Sequence, residues 1–422
     1  MPVMTAFREI ELKFGATARA LDRLEQGPFL KSIGAGKPTT TSLLSVYFDT
    51  GTLKLRRNHL SLRVRRNGDR RVQTIKVGNG TALIERGEWE RAVPTAEPDL
   101  NAARGTALQP VLSKKVRRSL KPVFETRVTR TTYPIKTRDS LIELAIDRGE
   151  IDTGRESSTV CELELELKRG QPTDLFLLAR RIAIKTPVDV TLASKAERGY
   201  RLFAGEKPAP IRSLPLALSR NACSREAFQA IARACLHQLV GNLPLLRKRD
   251  PEGLHQTRVA IRRLRAAISL FSEILNDEQT RALKKELKWI TGEFGPAREL
   301  YVFMRLVKAA DDGPSPSLVS AQSGSQVGER TASVGMPGLR QDLREKRGRA
   351  FARARTAVGS ARFRMMLLEL VAWIEAGAWT RSKNPLVRAG RKRSIAALGA
   401  EELRRRWKKI LKRGKKLAEL VV

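Results

Sequence analysis

The chain has 422 residues, with 81 Lys plus Arg against 44 Asp plus Glu and a formal net charge of +37. That length allows two or three domains with substantial cores, and the charge calls for a polyanionic partner such as nucleic acid, a phosphate polymer or an anionic membrane. Three cysteines (Cys161, Cys223, Cys235) exclude a disulfide framework, and three scattered histidines (His59, His237, His255) exclude an obvious histidine-based zinc site.

No apolar run of about 18 residues and no leader-like N-terminus stand in the sequence, so a cytoplasmic location without membrane insertion is expected. The first ordered stretch, 8–14, alternates strictly, so a strand places Glu9, Glu11 and Lys13 on one face and Ile10, Leu12 and Phe14 on the other. Paired carboxylates beside an ammonium suit a hard cation held against a polyanion. Alone, the pattern equally suits an amphipathic strand with a solvated charged face. Further strands are read at 44–49, 62–66, 71–77, 85–93, 123–132, 141–147 and 160–168, with a hairpin at Asn67-Gly68. Helices are read at 18–24, 101–112 and 173–184. His59 reads as a turn or surface residue.

The last strand repeats the first: Glu162, Glu164, Glu166 and Lys168 share one face and Leu163, Leu165 and Leu167 the other. Acids and bases gather mostly on different strands, Glu9, Glu11, Glu162, Glu164 and Glu166 against Arg63, Arg65, Lys76 and Arg130. A closed antiparallel barrel with a polar lumen accounts for this, its apolar outside covered by the helices. Such a lumen sets a carboxylate cluster for divalent metal beside cations for phosphate oxygens.

Nine short pieces in order resemble the CYTH domain of the triphosphate tunnel metalloenzymes. They run from Glu9-x-Glu11-x-Lys13 through Tyr47-Phe48-Asp49-Thr50, Leu62-Arg63-Val64-Arg65, Gln73-Thr74-Ile75-Lys76 and Arg86-Gly87-Glu88 to Phe124-x-Thr126 with Arg130. Leu144-Ala145-Ile146-Asp147-x-Gly149-Glu150-Ile151, Glu162-x-Glu164-x-Glu166-x-Lys168 and Ser194-Lys195-Ala196-x-Arg198-Gly199-Tyr200 complete the set. The resemblance implies an α+β fold, an eight-stranded antiparallel β tunnel with flanking helices, that hydrolyses a triphosphate with Mg²⁺ or Mn²⁺. It implies metal binding by Glu9, Glu11, Asp147 and Glu164, with Glu162 or Glu166 as further ligands. It implies phosphate contacts from Lys13, Arg63, Arg65, Lys76, Arg130 and Lys195. Glu9, Glu11, Lys13, Lys76 and Arg130 are the expected catalytic group.

Residues 206–219, with Pro208, Pro210 and Pro215, read as a linker between a domain at 1–205 and a second at 220–422. The charge is +13 in 1–205 and +24 in the remainder. Beyond the linker the period turns helical. His255, Arg258, Arg262 and Arg265 ride one helix face without an acid among them, which favours an anion over a plain solvated face. This stretch, with Leu287-Lys288-Trp289, resembles the CHAD domain, an all-α bundle, and implies inorganic polyphosphate binding. Two departures stand out: Arg298-Glu299-Leu300-Tyr301-Val302 replaces the usual Arg-Asp-x-Asp-Val, and the chain ends about where a second His-x-x-Arg helix is due. The expectation is a truncated domain with weakened polyphosphate binding. A Ser-, Gly- and Pro-rich loop near 311–338 is expected to be disordered. Helices are read at 339–355 and 365–379, and a basic terminal helix from Arg404.

The functional expectation is hydrolysis of inorganic triphosphate, with polyphosphate as partner and a location that includes polyphosphate granules. Thiamine triphosphatase and class IV adenylate cyclase share the tunnel, and a non-catalytic polyphosphate scaffold is a reading of another class. Specific nucleic-acid binding is not expected, because aromatics make up only 5% of residues and do not interleave with the basic stripes.

Overall fold

The computed structural model describes residues 5–78, 85–213, 215–216, 218–219, 221–311 and 337–418. In the first domain come β1 (Thr5–Gly15), α1 (Ala18–Gln26), α2 (Phe29–Ser32), β2 (Thr39–Asp49), α3 (Lys54–Arg57), β3 (Leu60–Asn67), β4 (Arg70–Val77) and β5 (Glu85–Ala92). They continue with α4 (Lys114–Ser119), β6 (Lys121–Lys136), β7 (Leu141–Asp152), β8 (Ser157–Arg169), α5 (Pro172–Lys185), β9 (Asp189–Val190) and α6 (Lys195–Phe203). The sheet runs β5-β4-β3-β2-β6-β7-β8-β1-β9, and a further β5–β1 pairing closes it. Closure leaves eight strands in the ring without a free edge. The ninth, not expected from sequence, is a two-residue strand that pairs with Phe14 and Gly15 at the end of β1.

Closure follows from the alternation. Leu12, Phe14, Leu144, Ile146, Leu163 and Leu165 point outward and are buried against Leu21 and Leu24 of α1 and Leu175, Phe176 and Ile182 of α5. On the other side Leu62, Val64 and Ile75 pack on Leu55, Leu108 and Val116. Each fully buried side chain of this size contributes roughly 1.5–3 kcal/mol, so burying the apolar rows outside leaves the charged rows facing the lumen. The β3–β4 turn uses Gly68 at φ +57°, which the Asn-Gly signal requires. Asp49 ends β2 and accepts backbone N–H groups of Thr50, Leu55 and Arg56 at 2.7, 2.9 and 3.0 Å, starting α3.

The helix expected at 101–112 is not formed. Gly105 and Pro110 break it, leaving 3₁₀ turns at Asn101–Ala103 and Gln109–Val111, and α4 starts only after Ser113. One end of the lumen is also less polar than its alternation promised. Beyond Arg130, Asp147 and Glu162 the inward rows continue as Val128, Ile151 and Val160, which join Tyr47, Phe124 and Tyr200 in a buried cluster against α6. The barrel is therefore filled at that end.

The second domain is helical: α7 (Ser224–Arg247), α8 (Pro251–Leu270), α9 (Glu278–Asp311), α10 (Pro337–Gly359), α11 (Ala361–Ala376), α12 (Pro385–Lys392) and α13 (Ile395–Ala418). Phe228, Phe271, Trp373 and Trp379 form its aromatic centre. The expected disordered loop at 311–338 lies almost wholly outside the described residues. The linker is anchored where Asn242 accepts the N–H of Ile211 at 3.0 Å and donates to its carbonyl at 2.8 Å. α11 packs on α5, and Arg180 makes a two-point ion pair with Glu369, one contact at 2.6 Å. Among the described residues no helix is long and apolar enough to cross a membrane.

Candidate active site

The register places the charged rows opposite one another. Lys13 pairs in register with Glu164, Glu11 with Glu166, Asp147 with Glu162, and Arg130 with Asp147. Arg63 and Arg65 of β3 stand across from Tyr47 and Ser45 of β2, and Lys76 of β4 across from Glu88 of β5. Of these, Glu11, Lys13, Tyr47, Arg63, Arg65, Lys76, Glu88, Arg130, Glu164 and Glu166 line a cavity of about 330 Å³. Glu9 lies in register with Arg86 on β1 and β5, but its side chain lies outside the described residues.

Glu164 of that lining is grouped with Asp147 and Glu162; all three are buried, with one oxygen of each within 4.8 Å of the others. Three carboxylates so close repel unless cations intervene. Lys195 supplies one: its ammonium is 2.7 Å from Asp147, 2.6 Å from Glu162 and 2.8 Å from Glu164. Arg130 grips Asp147 with two contacts of 2.7 Å and also reaches Glu164, Lys13 is 3.0 Å from Glu164, and Arg198 is 2.6 Å from Glu162. Burial alone would raise the Glu164 carboxyl, yet Lys13, Lys195 and Arg130 hold it well below the usual range, so it stays ionised. Lys195 is there because Ser194 caps α6, its hydroxyl accepting the Glu197 N–H at 3.1 Å, and Gly199 lets α6 approach Phe124. A Cβ at Gly199 would sit 2.2 Å from the Phe124 ring.

The opposite wall is cationic. Among the described residues Arg65 has one hydrogen-bond partner, Ser45 Oγ at 3.1 Å, and no ion pair. Burial, with the guanidinium groups of Arg63 and Arg130, pushes Arg65 down to about 10. Burial raises the Tyr47 hydroxyl, but Arg63, Arg65 and Lys195 outweigh it and hold it below its usual value. These are marks of uncompensated positive charge. Arg63 also leaves its Nε buried without a partner.

Sequence reading left open which of Glu162, Glu164 and Glu166 belongs with Asp147. The structure groups Glu162 and Glu164 with it, whereas Glu166 pairs with Lys168 at 2.7 Å and Glu11 with Lys13 at 3.1 Å. It also adds Glu88, 2.8 Å from Lys76 and 3.8 Å from Arg63, together with Tyr47 and Arg198. Glu88 shares its strand face with Glu90, which was the available signal. His59 is an exposed turn residue at φ +56°.

A divalent ion suits these donors. All are hard carboxylate oxygens, and the Lys195 ammonium, 2.6 Å from Glu162 Oε2, marks the point that a cation takes among them.

In the helical domain, His255, Arg258 and Arg262 of α8 share one electrostatic neighbourhood with Arg298 of α9, a residue that sequence reading left out of the site. Burial lowers the His255 pKa and Arg298 adds to it; Glu252 opposes them, and Arg262 and Arg258 contribute further. Arg258 has one buried guanidinium nitrogen, Nη1, without a hydrogen-bond partner. Arg262 and Arg265 of the same helix are both exposed.

Two family models match the chain: the CYTH domain over residues 8–200 and the CHAD domain over residues 230–421. An inorganic triphosphatase of Haemophilus influenzae is 30% identical over 199 residues, 46% of this chain and 55% of that protein. The chain thus spans about half the length of that curated relative. The CHAD domain from the plant Ricinus communis is 27% identical, with a TM-score of 0.39, over 49% of this chain and 61% of that one. The PH1012 protein from Pyrococcus horikoshii is 19% identical, with a TM-score of 0.30, over 45% of this chain and 98% of that one. The chain is a two-domain protein, a CYTH domain followed by a CHAD domain.

Proposed function

We propose that the barrel hydrolyses inorganic triphosphate to diphosphate and phosphate with Mg²⁺ or Mn²⁺. The observation that carries this is one closed lumen with a buried three-carboxylate cluster on one wall and unpaired Arg65 beside Arg63 on the other. Asp147, Glu162 and Glu164, with Glu9 and Glu11 from β1, are the metal ligands of this reading. A divalent ion there supplies neutralisation of phosphoryl oxygens and activation of the attacking water. Lys13, Arg63, Arg65, Lys76 and Arg130 orient the chain of phosphates and stabilise charge on the leaving group. Lys195 stands at 2.6–2.8 Å from the acids and is placed to exchange that contact for a phosphate oxygen. No histidine or cysteine lines the cavity among the described residues, which supports direct attack by water.

The helical domain binds inorganic polyphosphate through His255, Arg258 and Arg262, with Arg298 completing the patch. The support is four basic groups in one field and a buried guanidinium nitrogen without a partner. Phosphate release from tripolyphosphate, ATP and thiamine triphosphate, with and without EDTA, tests the enzymatic reading. Metal-dependent release fastest from tripolyphosphate is expected. Cyclic AMP from ATP without phosphate release would overturn it, and inactivity on all three would leave a scaffold.

A further inference from the structure

α13 leaves the bundle part-way along its length. Its first turn is held: the Ile395 N–H donates to the Ala222 carbonyl at 3.0 Å, and Leu398 is buried in the helical core. From Leu403 to Lys412 every side chain is exposed. Among them Leu403, Trp407, Ile410 and Leu411 keep 71%, 61%, 61% and 49% of their surface in water. Their spacing of 4, 3 and 1 sets all four on one face of the helix, a stripe about 100° wide. Arg404, Arg405, Arg406, Lys408, Lys409 and Lys412 occupy the rest of the circumference. Glu402 engages Arg405 and Arg406, and no acid stands between Leu403 and Ala418 in the sequence.

We propose that this half of α13 docks on an anionic lipid bilayer, lying in the plane of the headgroups without crossing them. A basic helix with Trp, Leu and Ile on its opposite face matches that boundary: the apolar side chains enter it while the bases stay among the headgroups. Trp407 suits the same depth, because its ring is apolar and its N–H prefers a wet partner. An aqueous polyanion such as duplex DNA answers the charge but leaves the four apolar side chains in water. A second copy answers the stripe alone. The stripe runs along only about 12 Å of helix, too small a patch for the roughly 800 Å² that each partner of a stable interface buries. Pairing two copies there also brings like charges together.

The experiment is co-sedimentation of the full chain, at physiological salt, with vesicles of phosphatidylglycerol and phosphatidylcholine in equal parts, beside vesicles of phosphatidylcholine alone. A chain of +37 adheres to anionic lipid through any basic face, so the deciding variant, Leu403→Gln/Ile410→Gln, removes no charge. Both side chains are exposed and glutamine is a good helix former, so helical circular dichroism should hold; Ile410→Gln alone is the milder variant should it not. The double variant should bind the anionic vesicles about tenfold less, part of the transfer free energy of two large aliphatic side chains. Wild type should leave the phosphatidylcholine vesicles unbound. The emission of Trp407, taken as the difference between wild type and Trp407→Phe, should move to the blue on anionic vesicles and be quenched by lipid brominated near the headgroup. Undiminished vesicle binding by the double variant, or a Trp407 emission that does not move, refutes the docking face. Equal binding of both vesicle types refutes the anionic class. Duplex DNA binding that falls as far in the double variant assigns the stripe to nucleic acid, and a wild-type dimer that the double variant loses in analytical ultracentrifugation assigns it to a second copy; either overturns the proposal.

Discussion

Glu164→Gln removes one charge and almost no volume, so it tests the electrostatics of the barrel floor directly. The carboxylate touches Lys13 at 3.0 Å, Lys195 at 2.8 Å and Arg130. Breaking a buried pair costs about 3–5 kcal/mol. Lys195 and Arg130 keep Asp147, and Lys195 keeps Glu162, so the lower end, about 3 kcal/mol, applies. For a unit of roughly 200 residues that lowers Tm by about 6–12 °C. The sign with pH follows from a carboxyl held below its unfolded value. Its contribution is present above about pH 4.3 and fades as pH falls through the folded pKa. Melting curves in EDTA should therefore separate wild type and variant at pH 7 and bring them together in acid. Mn²⁺ affinity, followed by electron paramagnetic resonance, should fall as well. A variant with wild-type Tm at pH 7 and undiminished Mn²⁺ affinity refutes the assignment of Glu164.

Further outcomes follow from the same geometry. Glu9→Gln or Glu11→Gln should abolish turnover while polyphosphate still binds the helical domain, checked by phosphate release beside a filter-binding assay; unchanged hydrolysis removes both from the metal set. Arg65→Ala should lower kcat/KM for tripolyphosphate by about 100-fold, the scale of one lost transition-state donor, with Tm held or raised because an uncompensated buried charge is gone. Gly199→Ala should destabilise the barrel by about 1–3 kcal/mol in chemical denaturation, since its Cβ overlaps the Phe124 ring. Long-chain polyphosphate should outcompete duplex DNA at physiological salt, and Arg258→Ala/Arg262→Ala should narrow that gap.

The period-2 rows determined the fold class without help. Leu12 and Phe14 opposite Glu11 and Lys13 suit a solvated charged face as well as an inward one, and it is the mirrored row at Glu162–Lys168 together with the Arg63 and Arg65 strand that turns the charges inward. The helical period from Ser224, and the shared face of His255, Arg258 and Arg262, were equally legible. These are local properties, set by where successive side chains point.

What alternation cannot state is register and what fills the space between walls. Three glutamates share the inward face of β8, and only cross-strand pairing places Glu162 beside Asp147 while Glu166 sits opposite Glu11. The inward Val128, Ile151 and Val160 read as an ordinary continuation of a strand until α6 closes over them. Lys195 is one residue of a short motif in the sequence, and it joins the acids only because the Ser194 cap and the bare Gly199 fix the approach of α6 to the barrel. Arg298 is likewise 36 to 43 positions from its partners on α8 and meets them only through helix packing. Side-chain chemistry and period are written locally, whereas charge balance is a sum over strands distant in the chain, and the closed barrel alone performs that sum.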